Sequence, residues 1–264
     1  MEKRIKSGEE ELFYKITGSG RAVVLLHGFG EDGTIFENLA NALQGEYKLI
    51  IPDLPGSGNS SFLPGSLSME NYANSVITIL DEEKIETCIV IGHSMGGYIT
   101  LAIAEKFKER LTTFGLFHSS AYADDEEKKK TRKKSITFIE EQGSEKFLQE
   151  SIPKLFSEKF KKENYEKVQQ IIDRYVNFQP ESLVQYTRAM MNRPDRTKIL
   201  QEWNKPILMI IGEEDTAIPL KHSLEQSHLP KLCYIHIAAE TGHMGMIEDS
   251  VSCTKIIQSF LDNQ

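Results

Sequence analysis

Short continuous apolar runs recur along the chain at Ala22–Leu26, Tyr47–Ile51, Cys88–Ile91, Leu111–Phe117, Pro206–Ile211 and Leu232–Ile237. Runs of that length without polar alternation predict strands covered on both faces, the pattern of a parallel sheet. Between them the period changes to that of a helix. Thr34–Leu43 places Ile35, Phe36, Leu39, Ala40 and Leu43 on one face, with Gly45 just beyond its end. Ser68–Glu83 begins at a capping serine and carries Tyr72, Val76, Ile79 and Leu80 as its stripe, and an amphipathic segment at Ile247–Leu261 closes the chain. Loose alternation from Arg4 to Thr17 about Ser7-Gly8 predicts an antiparallel hairpin before the first buried strand. Strands alternating with helices require right-handed crossovers, so the fold class is α/β with a mostly parallel sheet.

The rhythm stops at His118. From Ser119 to Gln201 only helical segments with charged faces follow, at about Asp124–Gln142, Ser144–Glu150, Lys162–Phe178 and Glu181–Asn192, punctuated by Gly143 and Pro180. The mixed-sign run Asp124-Asp125-Glu126-Glu127-Lys128-Lys129-Lys130 predicts a solvated helix face. The expected organisation is therefore one α/β core, residues 1–118 and 202–264, interrupted by a helical insertion at 119–201. No repeat, low-complexity tract or flexible linker is apparent.

At 264 residues the chain is long enough to bury a large core, and its net charge of −8 argues against nucleic acid and for small-molecule substrates. Three widely spaced cysteines, Cys88, Cys233 and Cys253, read as free thiols of a reducing compartment. The N-terminal stretch is too charged for a signal peptide and no apolar run approaches membrane-spanning length, so a cytoplasmic protein without a membrane partner is expected, monomeric or homodimeric.

Candidate chemistry centres on Gly92-His93-Ser94-Met95-Gly96-Gly97, where an apolar strand passes at once into an alanine-bearing helix. This G-x-S-x-G turn would present Ser94 at a strained tip beside the positive end of the following helix. A plain strand-helix turn or a phosphate loop is the competing reading, but no lysine stands in the Walker position and no G-x-G-x-x-G is present. A serine nucleophile needs a base, and histidine with a carboxylate behind it suits the task near neutral pH. After the strand at Pro206–Ile211 come Glu213, Glu214 and Asp215, of which Asp215 sits deepest in the turn; after the last strand comes His243. His222 and His228 fall in or near a helix, and His236 lies within a strand. The backbone N–H groups of Met95 and of Phe29, in the turn His27-Gly28-Phe29-Gly30, are the candidate oxyanion donors.

These stretches, with Asp53-Leu54-Pro55-Gly56-Ser57-Gly58-Asn59-Ser60 between them, resemble the motifs of the α/β-hydrolase family, in the same order over nearly the whole chain. His27, His93 and His118 also follow strands, but precede the acid, against that family's order of Ser, Asp, His. The resemblance implies Ser94 as nucleophile, His243 as base, Asp215 as its orienter, the Phe29 and Met95 amides as oxyanion hole, and a helical cap at 119–201. The chain is most similar to the small capped carboxylesterase, haloperoxidase-like and carbon-carbon hydrolase group, which implies a serine esterase acting through an acyl-serine intermediate. A thioesterase, a carbon-carbon bond hydrolase or lyase using the same triad is the alternative reaction. A ligand-binding receptor or regulatory protein on the same scaffold is the alternative of another class. Phe29, Met95, Phe138, Leu155, Phe156, Met190, Met191, Ile218 and Met244 are the candidate substrate contacts; no metal site or cofactor is expected.

Overall fold

The computed structural model describes residues 1–8 and 10–264. Eight strands form one sheet: β1 (Glu2–Ser7), β2 (Glu10–Thr17), β3 (Arg21–Leu26), β4 (Tyr47–Pro52), β5 (Cys88–His93), β6 (Leu111–Phe117), β7 (Ile207–Gly212) and β8 (Cys233–Ala238). Their spatial order is β1-β2-β4-β3-β5-β6-β7-β8. The β1–β2 hairpin and the β2–β4 pair are antiparallel, and every other pair is parallel.

Both faces are covered at β3 to β7, which is why those strands read as unbroken apolar runs. β8, at the edge of the sheet, is not the doubly covered strand its apolar run predicts and leaves Ile235 and Ile237 exposed. Val24 and Leu26 of β3 and Val90 of β5 pack on one side with helices α2 (Met69–Glu82) and α3 (Met95–Lys106). Val23, Leu25, Ile89 and Ile91 point to the other side, where α1 (Glu37–Leu43) and the C-terminal helices lie. After β3 the chain turns to β4 on one flank and then crosses to β5 on the other, so the strand order reverses between β3 and β5. A crevice opens at such a reversal, beyond the carboxyl ends of the strands.

The helical excursion between β6 and β7 comprises α4 (Glu126–Ser151), α5 (Glu158–Glu163), α6 (Tyr165–Tyr175), α7 (Pro180–Met191) and α8 (Thr197–Glu202). Gly143, with φ 85°, divides α4 where the sequence places a break. The single helix expected over Lys162–Phe178 is instead two, because Asn164 leaves helical geometry: its N–H closes α5 on Phe160 and its carbonyl opens α6 by accepting from Lys167 and Val168. The closing helix is likewise split. Asp249 ends α10 (Gly245–Glu248) and caps α11 (Ser250–Asp262) by accepting from the Ser252 N–H, while α9 (Leu220–Ser227) precedes β8. Such internal caps leave the apolar period intact, so periodicity alone passes over them. Among the described residues no helix is long and apolar enough to cross a membrane.

Candidate active site

The loops that follow β3, β5, β6, β7 and β8 converge on the crevice. Ser94 stands between β5 and α3 with φ 50° and ψ −114°, a conformation side chains rarely adopt. Two close approaches impose that turn. A Cβ on Gly96 would lie 2.2 Å from the Leu26 carbonyl oxygen, and one on Gly92 would lie 2.3 Å from the Gly96 carbonyl. Helix α3 therefore starts hard against the end of β3, and the Ser94 N–H is tied to the Phe117 carbonyl at 2.9 Å.

His243 Nε2 lies 2.8 Å from Ser94 Oγ, and His243 Nδ1 lies 2.7 Å from Asp215 Oδ2. Asp215 Oδ1 accepts from the N–H groups of Ala217 (2.8 Å) and Ile218 (2.9 Å), so the carboxylate is held at both oxygens. A carboxylate can only accept from Nδ1–H, which leaves Nε2 as an acceptor for the serine proton. Burial works to raise the Asp215 carboxyl, but the charge of His243 and the two imidazoles beside it hold it well below the usual carboxylate range. Glu213 and Glu214 are exposed, the former accepting from the Glu240 N–H.

The loop bearing His243 is fixed from the opposite side by Glu248. Its carboxylate accepts from the N–H groups of Gly242, Met244 and Ser157 at 2.8–3.1 Å, while the His243 N–H donates to the Leu155 carbonyl at 2.6 Å. Across the site, the Phe29 and Met95 N–H groups have no acceptor among the described residues, as donors waiting for a developing oxyanion require.

Two histidines set aside on sequence order also belong here. His93 Nδ1 lies 3.1 Å from Glu31 Oε2, which also accepts from the Gly28 N–H at 2.7 Å. Burial opposes charge on both partners, yet their mutual attraction raises the His93 imidazole and lowers the Glu31 carboxyl. His118, with φ 48°, sits behind Asp215 with Nδ1 3.5 Å from Oδ2. Burial pushes its imidazole down to about 4, so it is neutral at pH 7.

A cavity of about 310 Å³ opens over Ser94 and His243. Of the contacts expected from sequence, Phe29, Leu155, Met190 and Ile218 line it. Phe138, Phe156, Met191, Met95 and Met244 do not. Phe138 packs on Phe147, which takes the lining position in its place. Phe156 stacks on Phe160 with ring centroids 5.5 Å apart. Met95 and Met244 turn away into the two hydrophobic cores flanking the sheet. The charged run at 124–130 is not wholly a solvated face either. Asp124 is buried between Arg132 and Arg193, and Lys128 faces the cavity.

Glu31, His93, Tyr98, Lys128 and Arg132 are thus the site groups that sequence reasoning missed. Glu31 stands three residues beyond Gly28 and Tyr98 one helical turn beyond Ser94, spacings that place both within reach. Lys128 and Arg132 carry no such signal, since their position depends on how α4 docks.

Comparisons with known proteins agree with the fold. A family profile described as "alpha/beta hydrolase fold" matches residues 21–250. An uncharacterized protein of Mycobacterium tuberculosis is 33% identical over 96 residues, 36% of this chain and only 28% of that relative's length. The uncharacterized hydrolase YugF of Bacillus subtilis is 27% identical over 240 residues, 85% of this chain and 84% of YugF. Among solved structures, a thermophilic esterase from Thermogutta terrifontis with malate bound superposes with a TM-score of 0.93 at 26% identity, covering 100% of this chain and 98% of that one.

Proposed function

The chain belongs to the α/β-hydrolase fold family, and from that premise we propose that this hydrolase cleaves a small carboxylic ester through an acyl-serine intermediate. The observation that carries the reading is the unbroken row Asp215–His243–Ser94, at 2.7 and 2.8 Å, ending in a cavity beside two unpaired N–H groups. Likeness to an esterase over the whole chain supports it.

In this mechanism His243 Nε2 takes the Ser94 hydroxyl proton as Oγ attacks the ester carbonyl, and Asp215 stabilises the imidazolium that forms. The Phe29 and Met95 N–H groups receive the oxyanion. Collapse breaks the bond to the alcohol oxygen, which leaves with the proton from His243. Water then attacks the acyl-serine, giving its proton to His243, and the acid departs as Ser94 recovers its hydrogen. The helical segment 119–201 acts as a cap, its Phe147, Leu155 and Met190 shielding the acyl group. The reading includes a cytoplasmic, reducing setting: Cys88, Cys233 and Cys253 are free, with burial pushing each thiol up to about 12.

A fluorophosphonate should label the wild type at Ser94, located by mass spectrometry, and leave Ser94→Ala unlabelled. Short-chain chromogenic esters should be hydrolysed by the wild type and about 10⁴-fold or more slowly by the variant. Labelling at another serine, or equal turnover by the two proteins, would remove the proposal. Thioesters and vinylogous diketones in the same panel rank the bond that is cleaved.

A further inference from the structure

Lys128, in the first turn of α4, reaches across to the loop that holds Asp215, where its ammonium donates to the Ala217 carbonyl at 3.1 Å. It forms no ion pair among the described residues, although the chain carries 39 acids against 31 Lys and Arg. Its side chain lines the cavity over Ser94 and, with Thr131 and residues 216–218, the wall shared with a neighbouring cavity of about 640 Å³.

The surroundings do not neutralise it. Arg132 also lines the Ser94 cavity, and Arg193 stacks 3.9 Å over the Tyr98 ring; both are matched by the single carboxylate of Asp124. Three cations therefore share one anion. Glu31, on the same cavity, is already committed to His93, and Asp215 to His243. Asp125, Glu127 and Glu225 line only the outer cavity, and none pairs with Lys128. The Tyr98 phenol records the imbalance: burial should raise it, yet Arg193, Lys128 and Arg132 together hold it below its ordinary value.

An ammonium with donors to spare, partly withdrawn from water beside a reacting serine, is incomplete without an anion. We infer that Lys128 is an anion subsite, so that the preferred substrate is an ester bearing a second, carboxylate group, such as the half-ester of a short dicarboxylic acid. The inference rests on the esterase reading and deepens it by naming the substrate class. A point charge on a flexible stem suits a terminal carboxylate, and a cavity of about 310 Å³ limits the acid to a short chain.

The test compares monomethyl glutarate and monomethyl adipate with methyl valerate and methyl hexanoate, matched in carbon count, by proton release. The wild type should favour the half-esters at least tenfold in kcat/KM, chiefly through KM, with the preference weakening as salt rises. That ratio should fall about tenfold in Lys128→Met, invert in Lys128→Glu and persist in Lys128→Arg, melting curves confirming that each variant folds. Neutral and charged esters turned over alike, with a ratio indifferent to Lys128, would overturn the inference and leave the esterase reading standing. If no ester is turned over, the esterase reading falls, and glutarate binding decides the subsite. A rise of about 3 °C in the melting temperature of Ser94→Ala at tenfold excess over Kd, absent from the Ser94→Ala/Lys128→Met double variant, would support it. No rise would overturn it as well.

Discussion

His93 Nε2 meets the main-chain carbonyl oxygen of His243 at 2.9 Å. A carbonyl can only accept, so Nε2 carries a proton, and Nδ1 carries another toward the Glu31 carboxylate. The residue before the proposed nucleophile is thus an imidazolium joining three loops: the Gly28–Phe29 turn through Glu31, its own strand end, and the loop of the proposed base.

Glu31→Gln should therefore lower kcat about tenfold with little change in KM, because the proposed oxyanion donors and base lose a common support. Leaving His93 without its buried partner should also cost about 3 kcal/mol, read as a fall of roughly 6–12 °C in melting temperature. The sign of the pH dependence follows from the shifts. The lowered Glu31 pKa contributes stability present above the ordinary value of 4.5 and lost as pH falls through its folded value. The raised His93 pKa contributes stability complete below 6.5 and lost as pH rises through its folded value. The variant's deficit should be greatest between those limits. A variant with wild-type kcat and melting temperature would show that the pair carries neither role.

Asp215→Asn tests the other end of the proposed proton row. The amide oxygen can keep the bonds from Ala217 and Ile218, which turns the NH₂ toward His243 Nδ1 and makes that nitrogen an acceptor. Nε2 then bears the proton and cannot take one from Ser94. Single-turnover kinetics on a chromogenic ester should show a loss of about 10⁴ with a preserved fold. A loss below tenfold would mean another group orients the imidazole.

What could be read from the sequence divides along a physical line. β6 spans the residues its apolar run marks, and Ser94, Asp215 and His243, expected from turns directly after strands, lie within hydrogen-bonding reach. Those features depend on local backbone chemistry and a sheet whose crossovers have one hand. Substrate contacts depend instead on how helices dock, and a helix presents apolar side chains to whichever neighbour arrives. Phe138 and Phe147 lie on either side of the Gly143 break in α4 with nearly the same chemistry, yet only Phe147 reaches the cavity. Asp124 heads a run of charges that looks solvated; its burial is decided by Arg193, 69 residues away.

The strain at Ser94 gives a stability prediction opposite in sign to its effect on activity. With φ 50° and ψ −114°, alanine at position 94 keeps the penalty of a side chain in that conformation, whereas glycine relieves it. Ser94→Gly and Ser94→Ala should both be inactive, and the glycine variant should be more stable by about 1 kcal/mol in urea unfolding. Equal or reversed stabilities would show that the turn holds no such strain in solution.

His118 supplies the last prediction, because it sits behind the proton row without joining it. Both its ring nitrogens are buried and lack a hydrogen-bond partner among the described residues, and a Cβ on Gly245 would already lie 2.4 Å from Nε2. With its pKa at about 4 in the fold against an ordinary 6.5, the unfolded chain binds a proton there that the native state refuses. Stability must then fall as pH drops from 6.5 toward 4, by about 3 kcal/mol for a shift of that size in a fully buried group. Across pH 4.5–6.5 the Glu31 and His93 contributions are both complete, so they add no slope of their own. Asparagine tolerates the left-handed backbone at this position and does not titrate, so His118→Asn should flatten the decline measured by urea midpoints at pH 6.5 and 4.5, whatever it costs at neutral pH. Parallel slopes in wild type and variant would place the acid lability elsewhere and remove His118 as its source.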